Sequence, residues 1–223
     1  MAPPAFQRVV SYGAYQGRMR SAIHALKYSG IRPVAKRMGQ MLAEAIAQLN
    51  GEAPEELLVV PVPLHRTKLR MRGFNQARTL AAYALQSLKQ THPGWKLELA
   101  PNALLRQRPT ESQAGLTRRQ RRINVRGAFQ VTAPKAVAAR HILIVDDIYT
   151  TGATVRAAAE VLLRAGAASA WVATLARAGR LSEHSEETER LAPGEKNPGL
   201  KSHAATAAIE EIVQNSLHDQ PSF

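Results

Sequence analysis

Residues Ile142–Thr154 read ILIVDDIYTTGAT. An apolar, β-branched run of core-strand length ends in two adjacent carboxylates, and a threonine- and glycine-rich loop follows. The next segment, GATVRAAAEVLLRAGA, is an alanine-rich helix expected to close near Gly166. Thr150, Thr151, Gly152, Ala153 and Thr154 then wrap a helix N-terminus, where leading N–H groups and the positive dipole end attract a phosphate. Glycine allows close backbone approach, and the threonine hydroxyls add donors. No lysine follows the glycine, so this is not the GxxxxGK[ST] loop of nucleoside triphosphatases. Acids beside an anion cradle make sense if one ligand carries both a phosphate and a diol. A carboxylate accepts from two vicinal hydroxyls. A ribose 5-phosphate would therefore place its phosphate in the loop and its 2- and 3-hydroxyls on Asp146 and Asp147. The alternative is that Asp147 or Thr150 only caps the helix.

Outward from this stretch, strands alternate with helices. PVAKRMGQMLAEAIAQLNG sets Met38, Met41, Leu42, Ala45, Ile46 and Leu49 at helical spacing, and LLVVPVP reads as a short buried strand. FNQARTLAAYALQSLKQ is a second helix ended by Pro93-Gly94, and SAWVATLA is another strand. Such alternation argues for an α/β fold, a mostly parallel sheet with helices on its faces. Past Arg177 the chain turns polar without periodicity. Residues 181–223 are expected to form an acidic, disordered tail outside a domain spanning 1–180, with ATAAIEEIVQNSL able to form a short amphipathic helix.

The chain has 223 residues and no cysteine, which excludes a disulfide framework, a cysteine-ligated zinc and a thiol nucleophile. This fits a reducing compartment. The N-terminus lacks a hydrophobic signal core and no apolar run is long enough to span a membrane, so a cytoplasmic protein without membrane insertion is expected. Of the formal charge of +13, residues 181–223 carry eight acids against three bases, which leaves +18 on residues 1–180. A body that basic suits polyanions, either phosphorylated metabolites or nucleic acid.

Two basic segments accompany the central motif. In VVPVPLHRTKLRMRGFNQARTLA a buried strand ends near Pro63, and His65, Arg66, Lys68, Arg70 and Arg72 follow before Asn75 and Gln76 open a helix. Arg66 is the choice for contacting a leaving pyrophosphate, with a solvated basic loop as the alternative. From Arg106 to Arg126 there are seven arginines against the single Glu111, with Pro109 and Gly115 preventing one continuous helix. As a mobile flap over about 106–126 this stretch would close on an anion and exclude water, with Gln113, Arg118 and Arg119 as contacts. It has no aromatic before Phe129, so a base-stacking platform is not visible.

ILIVDDIYTTGAT resembles the phosphoribosyl-pyrophosphate (PRPP) signature of type I phosphoribosyltransferases. With YGAYQGRMRSAIHALKYSG, VPVPLHRTKLRMRGFNQA and LLRQRPTESQAGLTRRQRRINVRGAF, the chain resembles the ComF-type competence-protein family from about Tyr12 to Leu175. The resemblance implies a Rossmann-like type I phosphoribosyltransferase fold and ribose hydroxyls held by Asp146 and Asp147. It also implies a 5-phosphate on Thr150 to Thr154, a pyrophosphate loop of Pro63, Leu64, His65 and Arg66, and Mg²⁺ carried by PRPP oxygens rather than by side chains. Many members carry an N-terminal four-cysteine zinc module. This chain begins where that module would end, so zinc is not expected.

Three functions stay open. One is transfer of phosphoribosyl from PRPP to an unknown acceptor, linked by resemblance to DNA uptake. The second is a non-catalytic PRPP-binding accessory that serves DNA uptake or regulation, with DNA-uptake proteins as partners. The third is a protein that binds single-stranded DNA.

Overall fold

The computed structural model describes residues 5–29, 32–110 and 117–179. The expected tail at 181–223 and Gln113 lie outside the described residues.

Five strands form one parallel sheet: β1 (Val9–Ala14), β2 (Glu56–Pro61), β3 (Lys96–Leu99), β6 (His141–Tyr149) and β7 (Ser169–Arg177). Their spatial order is β1-β7-β6-β2-β3. Between β2 and β6 in sequence, β4 (Leu104–Arg106) and β5 (Phe129–Val131) pair antiparallel as a separate ribbon. The helices are α1 (Gly17–Ser29), α2 (Arg32–Ala47), α3 (Arg66–Arg72), α4 (Gln76–Thr91), α5 (Arg118–Val125), α6 (Pro134–Val137) and α7 (Ala153–Arg164). This is the α/β, mostly parallel architecture expected from the alternating pattern and consistent with a type I phosphoribosyltransferase-like fold.

The apolar runs of β2 and β6 are continuous because both faces of the sheet are covered. Side chains alternate across the pleat. Leu57, Val59, Leu143 and Val145 join one core with Ile23 and Leu26 of α1, Met38, Leu42 and Ile46 of α2, and Leu80 of α4. Leu58, Val60, Ile142 and Ile144 join the opposite core with Val155, Ala158 and Leu162 of α7 and with Leu104 and Phe129 of the β4–β5 ribbon.

Two elements differ in extent from the sequence reading. Strand β6 continues through Ile148 and Tyr149, which the motif alone assigns to the loop, because β7 stays in register beside it to Arg177. The basic segment after Pro63 is helical from Arg66 to Arg72, with His65 as N-cap and left-handed Gly73 (φ 76°) as its stop. Strand β1, which the hydrophobic pattern does not announce, is held by pairing to β7, from Val9↔Val172 to Ala14↔Arg177.

Helices α2 and α4 meet at Gly39, where an added Cβ would lie 2.3 Å from Tyr83 Cβ and 3.3 Å from the Ala84 nitrogen. Alanine normally improves a helix interior by about 1 kcal/mol. Here overpacking dominates, and Gly39→Ala is expected to destabilise the protein by about 1–3 kcal/mol, read as a lower urea midpoint.

Candidate active site

A cavity of about 350 Å³ opens at the C-terminal ends of β1, β2 and β6, where ligands bind in open α/β sheets. One wall is the central motif: Asp146, Asp147, Thr150, Gly152, Ala153 and Thr154 all line it. Gly152 is the N-cap of α7 with φ 74° and has no side chain of its own to accept from the helix. The Ala153 N–H reaches Thr151 Oγ1 at 3.4 Å. Neither Asp147 nor Thr150 is therefore the cap, and the capping-only reading of the acids is removed. A Cβ at position 152 would lie 2.5 Å from the Tyr149 hydroxyl oxygen and 2.8 Å from its ring carbon Cζ. Glycine is required there by the left-handed turn and by the tyrosine ring that lies against it. The Arg177 guanidinium in turn sits 5.1 Å from the Tyr149 ring centroid.

Continuing the alternation of β6 sends Asp147 toward α1 and Asp146 toward the β4–β5 side. Lys27 of α1 places Nζ 2.5 Å from Asp147 Oδ2 in an ion pair. Asp147 is buried, at 6% exposure. Asp146 Oδ1 accepts the Asp147 backbone N–H at 2.9 Å. Burial pushes the Asp146 carboxyl well above the usual carboxylate range, and the charge of Asp147 adds to that.

The facing wall is cationic, with Lys27, Lys68, Arg72, Arg106 and Arg121 lining the cavity. Burial lowers the Lys68 pKa, and the charges of Arg106, Arg72 and Lys27 push the same way. Lys68 Nζ donates to the Thr110 carbonyl at 3.2 Å. Arg106 is 8% exposed and donates to Thr110 Oγ1, while its Nε has no hydrogen-bond partner. Burial also lowers the Arg106 pKa, which the nearby charge of Asp146 partly offsets. Mutually repelling cations in a concave wall make a ready acceptor for a polyanion.

The segment after β2, which carries Lys68 and Arg72, is fixed to the sheet. The Val62 N–H donates to the Val145 carbonyl at 2.8 Å, next to the acids. Asn75 Nδ2 donates back to the Val62 carbonyl at 3.1 Å while its Oδ1 caps α4. Of the expected pyrophosphate-loop residues, Leu64 lines the cavity, Pro63 is buried and His65 accepts the Thr67 N–H. Arg66 is exposed and does not line the cavity. Lys68 and Arg72 do, because their four-residue spacing puts them on one helix face. Reading the segment as a loop concealed that periodicity.

In the flap segment, Arg118 opens α5 and Arg119 is exposed outside the cavity lining, whereas Arg121 lines it. Helix α5 begins with a reciprocal capping box between Thr117 and Gln120, the T-x-x-Q signature available in the sequence. Arg108 binds the Asn124 and Arg126 carbonyls at 3.0 and 2.6 Å, closing the other end of α5. Tyr15 and Lys27 also line the cavity. They come from a segment that entered the sequence reading only through its family resemblance.

A family model described as Phosphoribosyl transferase domain matches residues 98–191. The chain is 35% identical over 177 residues to the DNA utilization protein YhgH of Escherichia coli (strain K12), covering 78% of this chain and 74% of that protein. It is 26% identical over 178 residues to Competence protein F of Haemophilus influenzae, covering 78% and 75%. This chain belongs to the ComF-type family. Another relative is Competence protein ComFC of Bacillus subtilis (strain 168), at 26% identity over 155 residues, or 70% of this chain and 58% of ComFC. ComF-type membership agrees with the order of the motifs and with the phosphoribosyltransferase-like sheet, and it carries a family-level link to competence.

The two adjacent acids differ in what they contribute to stability. Because the folded-state pKa of Asp146 lies above its unfolded value, the folded protein holds the extra proton, and stability falls as pH rises from about 4 through the folded pKa. Asp146→Asn should therefore unfold at a higher urea concentration than wild type at pH 7–8, with the gap closing toward pH 4. Asp147→Asn leaves Lys27 without its counter-charge. It should cost about 1–3 kcal/mol, less than for a fully enclosed pair because a fifth of the Lys27 side chain is exposed.

Proposed function

We propose that this protein binds PRPP in the β1–β2–β6 cavity and transfers its phosphoribosyl group to an acceptor, releasing pyrophosphate. The observation that carries this reading is the joining of three chemistries in one cavity: a helix N-terminus, two adjacent carboxylates and a cluster of five cations. A ribose 5-phosphate bearing a diphosphate has the matching groups in that order. The 5-phosphate is held by Thr150 to Thr154 at the start of α7, and the ribose hydroxyls by Asp146 and Asp147. The diphosphate lies against Lys68, Arg72 and Arg106.

As the bond from the ribose anomeric carbon to the diphosphate breaks, positive charge grows on the sugar and negative charge on the leaving group. Fixed cations aimed at the leaving group stabilise that separation without reorganising. The two carboxylates orient the ring and favour its developing positive charge. Mg²⁺ would add positive charge to the diphosphate, held through PRPP oxygens. Among the described residues no group of three or more His, Asp or Glu side chains could hold a metal ion alone.

The cysteine-free sequence supports a cytoplasmic place of action. Among the described residues, no helix is long and apolar enough to cross a membrane.

A second reading, binding of single-stranded DNA, is favoured by exposed Arg119, Arg122 and Arg126 on and beside α5. The name DNA utilization protein borne by a relative points the same way. On that reading, log affinity for a single-stranded oligonucleotide falls by about 0.7 per phosphate contacted for each unit of log salt. PRPP should compete only if the two anions share the cavity.

Titration calorimetry with PRPP, with and without Mg²⁺, tests the ligand. Lys68→Ala and Arg72→Ala should each weaken binding about 10–100-fold, the scale of one charge-assisted contact. Arg66→Ala should change it by less than about threefold, as for an exposed side chain. PRPP-dependent pyrophosphate release across an acceptor panel tests transfer. Binding without release under any acceptor supports a non-catalytic PRPP-binding accessory instead.

A further inference from the structure

Lys27 stands between the two halves of the cavity. Its ammonium is 2.5 Å from Asp147 Oδ2, the oxygen a ribose diol would need. Its charge is also felt by Lys68 on the facing cationic wall, where the diphosphate would lie. Lys27 and Asp147 both line the cavity, and only 20% and 8% of their side chains are exposed. A diol arriving on Asp147 must therefore compete with an ammonium already in contact with it. Without a new anion, the displaced ammonium would be left in a poorly solvated wall beside other cations, an unfavourable place for a charge. A diphosphate delivered by the same ligand removes that penalty.

We propose that Lys27 is a positioning residue that exchanges anions: it holds Asp147 before ligand arrives and moves to the diphosphate when the ribose hydroxyls take Asp147. The exchange ties the two ends of the ligand together. A molecule carrying only the diol, such as ribose 5-phosphate, must break the Lys27–Asp147 pair without replacing it. One carrying only the diphosphate must draw Lys27 away and leave Asp147 buried without its counter-charge. PRPP alone satisfies both, so Lys27 makes the site select the intact donor over its two fragments. This rests on the PRPP reading above, and it assigns to α1 a part in specificity that the central motif does not contain.

The test is a double-mutant cycle on the full chain, comparing wild type, Lys27→Met, Asp147→Asn and the double variant. Each is titrated with PRPP, ribose 5-phosphate and inorganic pyrophosphate, and thermal melts confirm folding. Lys27→Gln, which keeps a polar tip, replaces Lys27→Met if the latter does not fold, and the double variant carries neither charge. Lys27→Met should weaken PRPP binding at least tenfold while leaving ribose 5-phosphate unchanged or tighter. Asp147→Asn should tighten pyrophosphate binding several-fold by releasing Lys27, and this gain should vanish in the Lys27→Met background.

If Lys27→Met weakens PRPP and ribose 5-phosphate by the same factor, or neither, the exchange is wrong and the lysine is structural. If the pyrophosphate gain persists in the double variant, loss of negative charge explains it and the exchange is again overturned. Failure of wild type to bind PRPP at all would instead overturn the functional reading on which the exchange rests.

Discussion

The ligand face depends on keeping two adjacent carboxylates at the end of a strand whose preceding four residues are fully buried. Neighbouring acids at such a place repel each other and lose solvation. Strand alternation reduces that repulsion without removing it, sending them to opposite sides of the sheet toward different cations. Asp147 meets Lys27 of α1, and Asp146 lies within reach of the charge of Arg106 on β4. Helix α1 belongs to one core and the β4–β5 ribbon to the other. The acids therefore draw both layers of the fold toward a single point, and the cavity forms where those layers converge.

The same arrangement explains why the cationic wall is costly by itself. Lys68 and Arg106 are both held below their ordinary pKa by burial, and Lys68 also by like-charged neighbours. In a structural ion-pair network, neighbouring charges would instead stabilise the lysine. A wall of this kind gains most from a ligand bringing several negative charges at once, because each added charge relieves repulsion among all the cations. Asp146 and Asp147 limit that gain to ligands that also present donors.

The central motif was legible because its parts are contiguous: strand, acids, turn and helix follow one another within thirteen residues, so local periodicity and capping rules suffice. Both helical faces of α2 and α4 and the buried strands β2 and β6 were legible for the same reason. What the sequence hid is tertiary. Lys27 is more than a hundred positions from Asp147, and nothing in its own helix distinguishes it from a solvated lysine. Strand β1 exists through its pairing to β7, which no local pattern encodes. The choice of Arg66 over Lys68 and Arg72 has a different origin. Seven residues of helix, capped by His65 and stopped by Gly73, sort five closely spaced basic or histidine side chains by face, whereas a loop would not. The Thr117–Gln120 capping box in the arginine-rich stretch is a local signal as well, and it marks where the flap segment becomes helix α5.

Attachment of the loop after β2 shows how the fold turns a sequence motif into a site. The Val62 amide bonds to the Val145 carbonyl, one residue before the acids, while its own carbonyl accepts from Asn75 at the cap of α4. The backbone that presents Leu64 and leads into α3 is thereby referenced to the same strand that presents Asp146 and Asp147. A shift of β6 along its axis would carry the acids, the Val62 anchor and the start of α7 together, preserving the spacing between diol and phosphate subsites. By contrast, Lys27, Arg106 and Arg121 arrive from α1, β4 and α5, elements not paired to β6. Displacement of those elements changes the distance between cation and acid without disturbing the central motif. The physical division is therefore between a half referenced to β6, which carries the sugar-phosphate groups together with Lys68 and Arg72 of α3, and a separately mounted half that brings Lys27, Arg106 and Arg121.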